Sequence, residues 1–110
     1  MLAASGVQTL QAAAVATGDG SPLQVTGYRS VVFQVTGSFT ATVTFEGTVD
    51  GSTWVAVAVA DLNSTTRARA TTATAASLLL LDEVGGLQAV RARISAWTAN
   101  AVTVKACASE

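Results

Sequence analysis

Phe39-Thr40-Ala41-Thr42-Val43-Thr44-Phe45-Glu46-Gly47-Thr48-Val49, then Asp50-Gly51-Ser52, then Thr53-Trp54-Val55-Ala56-Val57-Ala58-Val59, is the stretch that decides the fold. Odd positions of the first run carry Phe, Ala, Val, Phe, Gly and Val; even positions carry Thr, Thr, Thr, Glu and Thr. Strict alternation over this length predicts a β-strand with one dry face and one wet face. Gly47 interrupts the dry set, which marks a bulge or a close approach of another element to the backbone. Asp-Gly between two such runs is a strong hairpin signal, because Gly accepts the positive φ that tight turns require. The second run is apolar on both faces, with Val55, Val57 and Val59 opposite Trp54, Ala56 and Ala58. That pattern predicts a central strand, covered on both sides.

Outward from this hairpin the same grammar recurs. Tyr28 to Thr36 contains Val31-Val32-Phe33-Gln34-Val35, bounded by Gly27 and Gly37. Val90, Ala92, Ile94 and Ala96 alternate with Arg91, Arg93 and Ser95, giving a strand with a basic outer face. Ala101 to Ala108 sets Val102, Val104 and Ala106 inward, with Thr103, Lys105 and Cys107 opposite. Between these two, Thr98-Ala99-Asn100 supplies an Asn that tolerates left-handed geometry. Ser77-Leu78-Leu79-Leu80-Leu81 reads as a short buried strand closed by Gly85-Gly86. Val7 to Ala16 reads as a strand, ended by Gly18-Asp19-Gly20-Ser21-Pro22. Asp61 to Ala76, low in complexity, reads as a loop followed by an edge strand. Seven or eight short strands, separated by turn signals and without a helix, predict an all-β fold: an antiparallel β-sandwich or jelly-roll-like barrel. The chain of 110 residues suits one domain, residues 1–22 being an N-terminal arm or first strand and residues 23–110 the sandwich.

Composition narrows the function. Half of the residues are apolar, only 12% are charged, and the net charge is -1. Such a chain lacks the basic face that nucleic acid demands. A mean hydropathy of +0.47 implies apolar surface in excess of what one small core absorbs, and that surplus favours assembly with a partner. There is one cysteine, Cys107, so no intrachain disulfide forms; it reads as a small filler in the last strand. Met1 to Gly6 has no basic residue ahead of its apolar ones, and no apolar run approaches the ~20 residues of a membrane span. We therefore expect a soluble product made in the cytoplasm, with no membrane partner.

The sequence contains no His, which removes the usual general base and the commonest metal ligand. The carboxylates are Asp19, Glu46, Asp50, Asp61, Asp82, Glu83 and Glu110. Asp82 and Glu83 are adjacent and point to opposite faces of a strand, while a glycosidase needs two facing carboxylates, such as Glu46 with Asp61 or Asp82. Asp19-Gly20-Ser21 and Asp50-Gly51-Ser52 offer oxygens for calcium but lack the dense acidic spacing of a calcium loop, so they read as turns. The expectation is a protein that is not an enzyme and carries no cofactor and no metal. Arg91 and Arg93, joined by Lys105 on the neighbouring strand, form a candidate docking patch for an acidic partner. Solvated cross-strand pairs are the ordinary alternative. Trp54 and Trp97 are candidate anchors between subunits or platforms for stacking sugar rings.

Gly37-Ser38-Phe39 through Asp50-Gly51-Ser52-Thr53-Trp54 resembles a segment found in small virion proteins of tailed bacteriophages: an alternating strand, Glu-Gly-Thr, then Asp-Gly and a Trp. Gly85-Gly86-Leu87-Gln88-Ala89-Val90-Arg91-Ala92-Arg93-Ile94-Ser95-Ala96-Trp97, followed by Val102-Thr103-Val104, resembles the companion stretch near the end of those proteins. The two cover about half of the chain in the right order, and they are largely turn-and-strand grammar. The resemblance implies a β-sandwich on a phage particle. Among such roles, length favours a capsid decoration (cement) protein on the outer surface of the virion, commonly a homotrimer that clamps subunits of the major capsid protein. The alternatives are a carbohydrate- or receptor-binding module, with Trp54, Trp97 and Tyr28 exposed on one face, and a small tail or head-completion subunit.

Overall fold

A strand with one dry face is stable only when a second layer covers that face. In the computed structural model, which describes residues 4–110, two antiparallel sheets supply the layers for each other. Eleven strands follow in chain order: β1 (Gln8–Ala14), β2 (Leu23–Gln24), β3 (Ser30–Thr36), β4 (Thr40–Thr48), β5 (Val55–Ala56), β6 (Val59–Asp61), β7 (Arg69–Ala70), β8 (Thr72–Ala73), β9 (Ser77–Leu81), β10 (Ala89–Ala99) and β11 (Val102–Ser109). One sheet has the order β1-β11-β3-β9-β6-β7 and the other β2-β10-β4-β5, with β8 also on β4. The all-β sandwich is as expected, and its strand number exceeds the seven or eight readable in sequence because several are only two residues long.

The alternating residues meet in the gap between the sheets. Val43 and Phe45 of β4, Val90, Ala92 and Ile94 of β10, Val31, Phe33 and Val35 of β3, and Val102, Val104, Ala106 and Ala108 of β11 are buried. Phe33 and Phe45 touch across the layers, ring centroids 4.8 Å apart and tilted by 52°. Gly47 is a site of close approach: a Cβ there would meet Leu87 Cδ1 at 3.0 Å and Val57 Cγ1 at 3.4 Å.

The Asp-Gly hairpin is present, with Gly47 opposite Val55 and Glu46 opposite Ala56. Its second strand is not central. β5 lies at the sheet edge and leaves Val55 64% exposed, and the chain then crosses so that Val59 enters the opposite sheet. The apolar doublet reflects this change of sheet, not cover on both faces. β10 also departs from its alternation. Register shifts between Ile94 and Ala96, and again between Trp97 and Ala99, turn Ala96 out to solvent and Trp97 toward the core. Ser77–Leu81 pairs with β3 and β6 as an interior strand, yet Leu78 is exposed because its face of the sheet is uncovered.

The chain changes sheet at most steps, so β10 and β11 are consecutive without being neighbours. Asn100, with φ of 67°, makes the connection; its Nδ2 donates to the Ser38 carbonyl, while the Asn100 carbonyl accepts from the indole Nε1 of Trp97. At the other flank, β1 pairs with β11 through a register shift at residue 10, which lets the successive residues Leu10 and Gln11 both point inward. Gln11 Nε2 donates to the Ala92 carbonyl at 2.9 Å and to the Gly18 carbonyl at 3.1 Å. Ala92 lies between the Leu23–Val90 and Gly18–Ile94 pairings, so one side chain stands in where no strand runs beside β10. Residues 4–22 are thus built onto the sandwich, and the part of the expected arm at residues 1–3 lies outside the described residues.

Removing that amide leaves the Ala92 carbonyl buried without its donor, at a cost of about 2 kcal/mol. Gln11→Leu, which keeps most of the volume, is expected to lower unfolding stability in urea by that amount. An unchanged midpoint and slope would show the bond to be dispensable.

Candidate functional site

The wet face of β4 and the basic face of β10 lie side by side on the outside of the smaller sheet, because Glu46 pairs with Arg91 in register and with Ala56 on its other flank. Arg91 Nε donates to Glu46 Oε1 at 2.8 Å, and Arg93 Nε donates to the same oxygen at 3.3 Å. Arg91 also reaches Asp19 Oδ2 with Nη1 at 3.4 Å, and its guanidinium lies 4.3 Å from the centre of the Trp54 ring. A guanidinium over an indole face is a favourable cation–π contact. Two guanidinia therefore face two carboxylates, and the cluster carries no excess charge. The Glu46 and Arg91 side chains are only 10% and 16% exposed, so the wet face is dry at this point.

Burial pushes the Glu46 carboxyl upward, but the hydrogen bonds and charges of Arg91 and Arg93 outweigh it and hold the group below its ordinary value of 4.5. Next to it, Thr48 is buried and its hydroxyl accepts from the Gly51 amide and donates to Asp50 Oδ1. The Asp50 carboxylate accepts from the amides of Thr53 and Ser52, which pulls its pKa from 3.8 to about 2. The Asp50 oxygens are thus engaged in shaping the turn.

The other residues singled out in the sequence are dispersed. Lys105 does not join Arg91 and Arg93: β10 and β11 belong to different sheets, so Lys105 lies on the outer face of the opposite layer. Trp97 packs against the core at the Asn100 end, Trp54 covers Arg91 on the outer surface, and Tyr28 packs beside Glu83 in an open hollow of about 620 Å3. No common face presents the three rings. Glu46 does not face Asp61 or Asp82, since Asp61 caps its own turn and Asp82 pairs with Arg69 at 2.7 Å. Among the described residues no group of three His, Cys, Asp or Glu is placed to hold a metal ion.

Sequence reading missed a second surface. On the outside of the larger sheet, Cys107, Val32 and Leu80 align in one row across β11, β3 and β9, and Lys105, Gln34 and Leu78 align in the next. Leu78 is 47% exposed and nearby Val7 is 70% exposed. The signal available was the unbroken Leu78–Leu81 run, which puts leucine on both faces of its strand. The face is mixed rather than aliphatic: Gln34 and Lys105 share the row of Leu78, and the row of Leu80 continues through Ala60 to Arg69, which pairs with Asp82.

A family model described as XepA matches residues 6–108. No curated protein matches the sequence. Among solved structures, the chain is similar to the SPBc2 prophage-derived protein YomS, with a TM-score of 0.86 and 18% identity over 100% of this chain and 96% of that one. It is also similar to the PBSX exported protein XepA, with a TM-score of 0.87 and 17% identity over 94% of this chain but 37% of that one. At these identities the two structures establish the shared fold.

The carboxylates predict an acid response. Glu46 and Asp50 titrate lower in the folded chain than in the unfolded one, so their contribution is complete above about pH 5 and is lost as pH falls through their folded values. Glu46→Gln is expected to cost about 2 kcal/mol at neutral pH, by leaving two guanidinia without their shared carboxylate. It should also flatten the loss below pH 4. Thermal melts of both proteins from pH 7 to pH 2 check this, and parallel curves would contradict it.

Proposed function

Because the chain belongs to the XepA family, we propose that it is a structural component of a phage particle that works through its surface and catalyses no reaction. The observation that carries this reading is the match of the XepA family model to residues 6–108, in an all-β chain of which only 12% is charged. The names of the two similar structures support the phage setting: one is prophage-derived and the other is an exported protein of PBSX. Leaving the cell as part of a particle would account for an exported relative.

Within that setting the role is capsid decoration. The chain bridges subunits of the major capsid protein on the outer surface of the head and associates with further copies of itself as a homotrimer. No cofactor, nucleic acid or membrane takes part. A flat face of about five strands and roughly five residues spans on the order of 500 Å2. That is less than the ~800 Å2 per partner of a stable interface, so one copy holds weakly and repetition over the shell provides the strength.

Purified protein added to expanded heads that lack it is expected to bind saturably, in hundreds of copies per head, and to raise the temperature at which the heads open. A handful of copies at one vertex would point to a tail or head-completion subunit. A protein that stays monomeric and leaves heads bare would end the decoration reading, and binding to host glycans instead would favour a receptor-binding module.

A further inference from the structure

We propose that Asp19-Gly20 is a site of spontaneous isoaspartate formation in the folded protein, that Asp50-Gly51 is protected from the same reaction, and that the change at Asp19 loosens one flank of the sandwich. Aspartate followed by glycine is prone to this chemistry, because a glycine has no side chain to obstruct its amide nitrogen. Of the four aspartates, Asp19 and Asp50 precede glycine, while Asp61 and Asp82 precede Leu62 and Glu83.

The reaction needs only water. The Gly20 nitrogen bonds to Cγ of Asp19, the amide proton is lost, and the hydroxyl of the neutral carboxylic acid leaves as water, closing a succinimide ring. Water then opens the ring. Addition at Cγ restores aspartate. Addition at the main-chain carbonyl breaks the original peptide bond, leaves Gly20 attached through Cγ, and so adds a methylene to the backbone.

The two turns differ in what must break first. Asp50 Oδ1 accepts from the amides of Ser52 and Thr53, both at 2.9 Å, and from the Thr48 hydroxyl at 3.0 Å. The attacking amide is held as well, since Gly51 donates to Thr48 Oγ1 at 2.9 Å. The bonds to the carboxylate lower its pKa to about 2, so the neutral acid that can lose water is scarcer than in the unfolded chain. The Asp19 side chain, by contrast, is 62% exposed, and its contact is the 3.4 Å approach to Arg91 Nη1. Arg91 keeps Glu46 and Trp54 when that contact is given up. Gly20 is exposed, and its amide donates to no group among the described residues. The fold also fixes the glycine: φ is 68°, and a Cβ would collide with the Leu10 carbonyl and the Gln11 amide, so no larger residue can shield the nitrogen.

Both neighbours of the reacting pair are anchored. Gly18 exchanges two backbone hydrogen bonds with Ile94, and its carbonyl also accepts from Gln11 Nε2. On the other side the Ser21 amide donates to the Leu10 carbonyl at 2.9 Å. A methylene inserted between these anchors displaces one of them, and with it the segment that ties β1 to β10.

The full chain, aged in warm neutral buffer, tests this. Isoaspartate is read by enzymatic methylation of its free carboxylate and located by peptide mapping. Folded protein is expected to accumulate it at residue 19 about tenfold faster than at residue 50, where several hydrogen bonds must break first. In urea the two sites should react at similar rates, and Thr48→Val should speed residue 50 in the folded state. If Thr48→Val does not fold, the folded and urea-treated wild type still decide the matter. Asp19→Glu, which cannot close the same ring, should lose the signal at 19 and keep its melting temperature on ageing, whereas wild type carrying the isomer melts lower. Equal or faster reaction at residue 50 in folded protein, reaction at 19 only after unfolding, or an isomerised protein with an unchanged melt would overturn the inference.

Discussion

The contact between Phe33 and Phe45 fixes the spacing on which the rest of the sandwich depends. Facing sheets pack about 10 Å apart, and the gap must be filled without voids. Most of the residues that fill it are Val and Ala, short side chains that reach only part of the way. The two phenyl rings, one from each sheet and 4.8 Å apart, supply bulk at the centre, and the smaller residues close around them. A core of this kind orders few rotamers, which suits a chain rich in β-branched residues.

Polar groups pin the margins of the sandwich. Gln11 bridges a gap in the ladder beside β10, and a Cβ on Gly20 would collide with the Leu10 carbonyl and the Gln11 amide, so the segment around Gly20 is pressed closely onto β1. At the far end Trp97 and Asn100 close the crossing between sheets with their own hydrogen bonds. These pins hold both flanks of the sandwich, where frequent changes of sheet leave few simple hairpins.

Local chemistry made part of this legible. The Asp-Gly turn, the alternation in β4, β10 and β11, the strand read at Val7 to Ala16 and the left-handed Asn100 each rest on interactions between near neighbours in sequence. Sheet membership does not. Arg91, Arg93 and Lys105 look like one basic patch only if β10 and β11 pair, and both pairing and crossing are compatible with the same turn. The bulges in β1 and β10 were hidden for a related reason: one extra residue reverses which side chains face inward, and the sequence carries no mark of it. Glu46 stood in the wet set of its strand. Its surroundings come from other parts of the chain: Arg91 and Arg93 of β10 donate to it, and Trp54, just ahead of β5, lies against Arg91.

The fate of the charged residues bears on function. Bringing Glu46, Arg91, Arg93 and Asp19 together balances the charge on one outer face by mutual pairing, where it contributes to a single arrangement of β4 and β10. A cluster so balanced has little left to attract a distant partner. The other outer face carries a second balanced pair, Arg69 with Asp82, at the end of the row Cys107, Val32, Leu80, Ala60, and exposed Lys105 and Gln34 beside Leu78. The exposed large apolar side chains, Val7, Val15, Val49, Val55 and Leu78, are distributed over the surface, so the fold does not gather the excess hydropathy of the composition on one face.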